Sequence, residues 1–233
     1  MKSITKTAFA ALTGFTALAA LNLSGCNKGE TAAQTAAASG AEEKRAVLSR
    51  EEIKARSFPE LFDAVGVKDI PEDVFKLISE DFAVLTAGDT SHYNSMVAGW
   101  GGWGVIFGKP STFLMLRSNR YTLELMRKER KYTMAFFDEG YKGDVMEFGQ
   151  QSGRDSDAKM RNTKLTAVQT PAGCMTFKEA KLIIECKLVQ VTTVSPDDFY
   201  TEESKKFVTD AYAEVKGYHK VVFGEITNVW ARK

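Results

Sequence analysis

Tyr93-Asn94-Ser95-Met96-Val97-Ala98-Gly99-Trp100-Gly101-Gly102-Trp103-Gly104 is the most unusual stretch of this chain: polar residues lead into four glycines threaded by two tryptophans. Glycine lets another surface approach the backbone closely. A flat aromatic heterocycle laid along such a strand would exchange hydrogen bonds with it on a polar edge, while the tryptophans cover a face or shield a pocket. The same residues also suit a glycine-rich turn with two core tryptophans, and the stretch alone leaves both open.

Working outward, the runs 82–86, 112–117, 132–137, 182–191 and 221–230 are rich in β-branched and aromatic residues and read as strands. Helical periodicity marks 121–131, 141–148 and 201–216, the last with Phe207, Val208, Ala211, Tyr212 and Val215 on one stripe. Strands in succession with a few helices between them, and no regular alternation, favour a mostly antiparallel sheet that closes on itself. The expected fold is therefore mostly β, a barrel with peripheral helices. No GxGxxG follows a strand and no GxxxxGK[ST] occurs, so nothing marks a dinucleotide or P-loop domain.

Arg117-Ser118-Asn119-Arg120-Tyr121-Thr122 ends the second of these strands and opens the helix carrying Leu123, Leu125 and Met126. Free N–H groups and the positive end of the helix dipole favour a phosphate there, and arginine adds bidentate charge-assisted bonds. The alternative is that Arg117 and Arg120 form solvated ion pairs with neighbours such as Glu124. Further on, Gly149-Gln150-Gln151-Ser152-Gly153-Arg154-Asp155, with Asp157 and Lys159 after it, forms a cationic turn between two helices. A ring platform, a phosphate seat and a lid are the parts that a flavin mononucleotide (FMN) site needs.

In this order and spacing, the segments 94–102, 117–122 and 152–155 resemble the flavin reductase-like or flavoredoxin-type FMN-binding split barrel. His219-Lys220-Val221-Val222-Phe223-Gly224-Glu225-Ile226 is similar to the last strand of that family. The resemblance covers residues 79–230. It implies a homodimeric split barrel with FMN near the dimer interface. The phosphate would be held by Arg117, Arg120, Tyr121 and Thr122, with Asn119 also among the cofactor-binding residues. The ring would lie along Asn94, Ser95, Met96, Val97, Ala98, Trp100, Gly101 and Gly102. Ser152, Gly153, Arg154 and Lys159 would close over the cofactor, and His219 would stand near the flavin. Val97 replaces a threonine and Ser118 a proline common in relatives; Val97 removes a hydroxyl from the ring site, which points to altered tuning of the flavin.

The amino terminus sets a location. Lys2 and Lys6 precede an apolar run over 8–21, too short for the roughly 20 residues that a membrane-spanning helix takes. Leu23-Ser24-Gly25-Cys26 then resembles a bacterial lipobox, which implies a cleaved signal over 1–25 and lipid on Cys26. Residues 26–48 have the Ala, Thr, Gln, Ser, Gly and Glu composition of a tether, and the folded domain is expected over 49–233. Ser49-Arg50-Glu51-Glu52 fits a capping box, and Pro71 suits the first turn of another helix.

Across 233 residues, 44% are apolar and 26% charged, which excludes fibrous and disordered classes. With 31 basic against 30 acidic residues, no basic field exists to draw nucleic acid. Cys174 and Cys186 invite a disulfide in an exported protein, although the alternation around Cys186 suits a buried thiol better. His92 and His219 are the only histidines, and no metal site is expected. No nucleophile and base stand at a recognisable spacing, so electron chemistry would fall to the flavin.

Relatives often use NAD(P)H from the cytoplasm, a pool absent outside the inner membrane, where the lipobox places this chain in the bacterial cell envelope. The expectation is a tightly held FMN that exchanges electrons with a redox protein or membrane carrier. A non-catalytic flavin- or heterocycle-binding surface lipoprotein and a cofactor-free scaffold are the alternatives. A coloured but redox-silent protein would mark the first of these and a colourless one the second.

Overall fold

The computed structural model describes residues 48–70, 73–154, 157–213 and 217–233. The signal segment, Cys26, the tether up to residue 47, Pro71, Asp155, Val215 and Lys216 lie outside the described residues, while Leu48 packs against the folded part. Two capping boxes open the folded part. Ser49 and Glu52 exchange backbone and side-chain bonds at the start of α1 (Arg50–Ala55), and Ser57 and Glu60 do the same for α2 (Phe58–Leu61). After β1 (Phe62–Ala64), Asp73 caps α3 (Val74–Lys76) through the Phe75 amide at 2.8 Å. A wider turn at Leu77–Asp81 follows and ends at Phe82, which takes a positive φ of 62°.

The sheet begins with β2 (Ala83–Gly88), β3 (Tyr93–Ala98), β4 (Gly101–Ile106) and β5 (Lys109–Arg117). The stretch read above as one glycine-tryptophan strand is thus two strands broken at Gly99-Trp100. The β4–β5 turn carries Phe107 and Gly108 at φ of 54° and 74°, the primed geometry that matches strand twist. Helix α4 (Tyr121–Glu129) stops at Arg130 in the left-handed conformation, and Lys131 already begins β6 (Lys131–Phe136). The expected helix over 121–131 is two residues too long.

Helices α5 (Lys142–Gln150) and α6 (Ala158–Asn162) precede a small two-stranded ladder, β7 (Ala167–Gln169) with β8 (Met175–Phe177). The long β9 (Leu182–Thr193), α7 (Glu202–Tyr212) and β10 (His219–Arg232) complete the chain.

All pairings are antiparallel, in the order β3-β2-β6-β9-β10-β5-β4, with β1 added to the far end of β10. The two terminal strands of this path, β3 and β4, are joined by only Gly99 and Trp100. That short link forces the sheet to curl until its edges meet, yet β3 and β4 share no ladder, so the barrel is split along this seam. The Trp100 carbonyl accepts instead from the Met115 amide at 3.1 Å.

Successive residues point to opposite faces of a strand, and the two cores follow that alternation. Leu85, Met134 and Ile184 join Leu114, Leu116, Phe136 and Val222 in one cluster, into which α4 packs Leu123, Leu125 and Met126. Val84, Ala135 and Ile183 face the other cluster, with Ile53, Phe58 and Leu61 from α1 and α2, Phe148 from α5 and Phe177. In the first core, the buried Tyr132 hydroxyl bonds Thr112 Oγ1 at 2.7 Å, and a Cβ on Gly224 would overlap it. A glycine is required there by close approach.

Cys174 and Cys186 are both buried and both free. Burial pushes their thiols up, to about 11 and about 12. The disulfide alternative is therefore corrected in favour of inert buried thiols.

Candidate flavin site

Two adjoining cavities run along β3. The first, of about 140 Å³, is lined by Asn94, Met96 and Val97, by Asn119, Arg120, Tyr121 and Thr122 at the start of α4, and by Phe148, Gly149, Gln151, Ser152, Gly153 and Lys159. The second, of about 320 Å³, continues along Met96, Val97, Ala98, Gly99 and Trp100, with Phe82, Met115, Leu116, Arg117, Arg120 and His219. Met96, Val97 and Arg120 line both, and the larger cavity is in the size range of small-molecule sites.

Segments far apart in sequence meet here because β3 is an edge strand: α4 and α5 both pack on it. No side chain caps the first turn of α4, whose N-cap is Arg120, so its leading N–H groups remain available to an anion. Thr122 Oγ1 accepts from Asn94 Nδ2 at 2.7 Å, which ties the helix start to β3. Gly153 lies against this bond, and a Cβ there would overlap Asn94 Oδ1. Glycine is the residue that lets the 151–154 turn approach so closely.

Lys159 is the most unusual group of the site. It is 3% exposed, and its Nζ donates to the Ser95 carbonyl at 2.6 Å. Burial, and then the nearby Arg120 guanidinium, pull it down to about 8. Among the described residues no carboxylate pairs with Lys159, Arg117 or Arg120. Three cations thus converge on one cavity system without a counter-ion. Like charges disfavour one another, and a bound anion would relieve all three.

Arg154 does not line either cavity. Its guanidinium pairs with both carboxylate oxygens of Glu124 and sits 5.3 Å from the Tyr121 ring centroid, strapping the 151–154 turn across the start of α4. Glu124, considered above as a partner for Arg117 and Arg120, is occupied by Arg154 instead. The Tyr121 hydroxyl meets His92 Nε2 at 2.7 Å.

Ser95 lines neither cavity: its carbonyl accepts from Lys159, and its hydroxyl is buried against Thr86 Oγ1 at 2.8 Å. Gly101 and Gly102 face Leu114 and Phe113 across the β4–β5 ladder, outside both linings.

His219 stands opposite Arg117 in the β10–β5 ladder. Its ring stacks on Trp100, with centroids 4.9 Å apart, and its Nδ1 meets the Tyr212 hydroxyl. Burial, then Arg117 and Arg120, hold it below the ordinary histidine value, so the imidazole is neutral at pH 7. Sequence reasoning missed Phe82, Met115, Leu116, Phe148 and Gln151. Only their packing marks them, since a strand residue such as Met115 carries no local sign that it borders a cavity. Among the described residues no cluster of histidine, cysteine and carboxylate side chains is placed to hold a metal ion.

The donors fit a phosphomonoester attached to a flat ring: an open helix start, Thr122, the Arg120 guanidinium and a buried ammonium at one end, and a wider slot along the β3 backbone at the other, where Arg117, expected at the phosphate, lies beside His219 instead.

A family model for the flavin reductase like domain matches residues 75–233. No curated protein is significantly similar in sequence. Among solved structures, the FMN-binding domain of a flavin reductases-like enzyme from Shewanella baltica OS155 superposes with a TM-score of 0.52 at 17% identity, over 73% of this chain and 76% of that one. The FMN-binding protein from Thermus thermophilus, with bound p-hydroxybenzaldehyde, gives 0.50 at 21% identity, over 76% and 81%. At these identities the two structures share the fold, a split barrel of mostly antiparallel strands. The family model spans most of the chain and takes in every residue that lines the two cavities, and this protein belongs to the flavin reductase-like domain family.

Proposed function

We propose that this protein is an FMN-binding redox flavoprotein of the flavin reductase or flavoredoxin type. The observation that carries the proposal is the convergence of Arg117, Arg120 and Lys159 on adjoining cavities with no carboxylate partner among the described residues. FMN, when bound, supplies the electron chemistry. Asn119, Arg120, Tyr121, Thr122, Ser152 and Lys159 hold its phosphate, and Arg154 keeps the 151–154 turn over Tyr121. The β3 backbone from Met96 to Ala98 takes the ring, with Trp100 and His219 beside it. Val97 offers the ring only its backbone.

The lipobox at Cys26 supports a lipoprotein held outside the inner membrane of a bacterial envelope. A redox protein or membrane carrier then serves as electron donor, because nicotinamide nucleotides are absent there. A second copy of the chain completes the assembly. Phe113 and Phe223 are cross-strand neighbours in β5 and β10, Phe107 packs on Phe223 with centroids 6.1 Å apart, and Val105, Phe107 and Phe113 are exposed. This apolar sheet surface suits a homodimer contact.

The visible spectrum of the membrane-extracted protein tests the function. A yellow chromophore released by heat and identified as FMN is the expected result. A colourless protein that leaves added FMN fluorescence unquenched refutes it, and rapid bleaching by NADH or NADPH refutes the proposed donor.

A further inference from the structure

We propose that Tyr212 of α7 is a positioning residue that holds His219 as a neutral imidazole protonated on Nε2, so that the histidine offers the ring cavity a hydrogen-bond donor. The Tyr212 hydroxyl makes two contacts with the same residue. It accepts from the His219 backbone N–H at 3.3 Å and meets His219 Nδ1. An oxygen that accepts from the amide has its own proton left to give, and Nδ1 is the acceptor in reach. The oxygen keeps a second lone pair, so the contact alone fixes neither role; donation to Nδ1 is the arrangement that uses the hydroxyl proton, and it leaves the single proton of a neutral ring on Nε2.

The surroundings keep the ring neutral. Arg117 stands opposite His219 in the ladder, Arg120 lies beyond it, and His219 is 8% exposed. Two guanidiniums beside a buried imidazole oppose a third positive charge. Trp100 stacks on one face of the ring at an interplanar angle of 29°, which fixes its plane. Nε2 makes no hydrogen bond to protein among the described residues, and His219 lines the larger cavity.

Helix α7 is anchored for this role. Thr201 caps its start through the Ser204 amide at 3.2 Å, Val208 is buried, and Phe207 lies 6.2 Å from Trp100. Tyr212 also packs on Tyr218, one residue before His219, with centroids 4.8 Å apart. The histidine is thus held from two sides, by Trp100 at the β3–β4 seam and by Tyr212 at the end of α7. It presents a donor to a carbonyl oxygen or an unprotonated ring nitrogen, and it rejects a ligand that offers an N–H at that position. The identity of the ring rests on the flavin reading above; the tautomer does not.

Nitrogen-15 imidazole spectra of the ligand-free, histidine-labelled protein at pH 7 test the tautomer, with His219→Gln to assign the signals against His92. The expected result is His219 protonated on Nε2 alone, and a shift toward mixed tautomers in Tyr212→Phe. His219 protonated on Nδ1, an imidazolium, or a tautomer unchanged in Tyr212→Phe overturns the proposal.

Riboflavin, which lacks the phosphate, probes the ring contact. Tyr212→Phe weakens its binding about three- to tenfold, the worth of one neutral hydrogen bond. Unchanged riboflavin affinity overturns the positioning role. A wild-type protein that binds neither riboflavin nor FMN refutes the flavin reading instead, and the ligand-free spectra still decide the tautomer.

Discussion

Replacing Lys159 with methionine separates the phosphate seat from the ring slot and has opposing effects that can be worked out in advance. A charge-assisted hydrogen bond is worth about 1.5–3 kcal/mol, so Lys159→Met is expected to lower FMN affinity about ten- to a hundredfold and leave riboflavin unaffected.

The ligand-free protein behaves differently. The fall of Lys159 from 10.5 to about 8 corresponds to at most about 3 kcal/mol of destabilisation at neutral pH. The open cavity beside the ammonium screens it, and about half that value is expected. Methionine removes this cost but strips the Ser95 carbonyl of its partner, which costs about 1 kcal/mol. The two nearly cancel, and stability at pH 7 is expected to change by less than about 1 kcal/mol.

The pH dependence has a definite sign. Between about pH 8 and 10.5 the unfolded chain holds a proton on Lys159 that the folded one has lost. Wild-type stability therefore rises with pH through this window relative to the variant. A bound phosphate draws that proton back, so wild-type FMN affinity falls as pH rises above about 8, and the variant lacks this slope. Fluorescence-quenching titrations with FMN and riboflavin from pH 7 to 9.5, beside urea unfolding of the ligand-free proteins, measure each quantity. An equal loss for FMN and riboflavin, or a wild-type affinity with the same pH dependence as the variant, would refute the placement of Lys159 at the phosphate.

Three further outcomes are expected. Arg120→Ala lowers FMN affinity about tenfold, the low end for a charge-assisted bond because the guanidinium is exposed, and raises the Lys159 pKa above about 8. An FMN affinity and a titration both unchanged would remove Arg120 from the seat. Gly224→Ala destabilises the protein by about 1–3 kcal/mol in urea unfolding, since its Cβ overlaps the Tyr132 hydroxyl. Tyr132→Phe in the same chain recovers part of the loss, and strictly additive effects would show that the overlap is not the cause. Cys26→Ser is expected to abolish lipid attachment in a detergent-partition assay and to leave FMN affinity untouched, because residues 26–48 have the composition of a tether; loss of flavin in that variant would contradict this expectation.

Legibility varied with the range of the interactions involved. The cationic helix start at Arg117, Arg120 and Thr122 could be read from sequence because a strand end, a run of donors and a helix start are consecutive. The alternation that buries Leu182, Ile184 and Cys186 is likewise local, although successive residues proved to serve two cores, one on each face of the sheet. The break at Gly99-Trp100 was missed, since a glycine-rich run continues a strand as readily as it ends one, and only closure of the sheet required the break.

The sequence by itself determined the strand-rich class, the resemblance in three ordered segments, the cationic character of the site and the expected export of the chain. The tertiary structure decided which cation goes where. Lys159 is pressed against the carbonyl of Ser95, 64 positions away, while Arg154, equally basic and five residues earlier, turns to Glu124. It also set Tyr212 and Trp100 around His219 and left Cys174 and Cys186 unbridged. The physical reason is that charge and periodicity are properties of a residue and its neighbours along the chain. Desolvation and hydrogen-bond partnership depend on what the curled sheet brings alongside, and those contacts span separations on which local pattern carries no information.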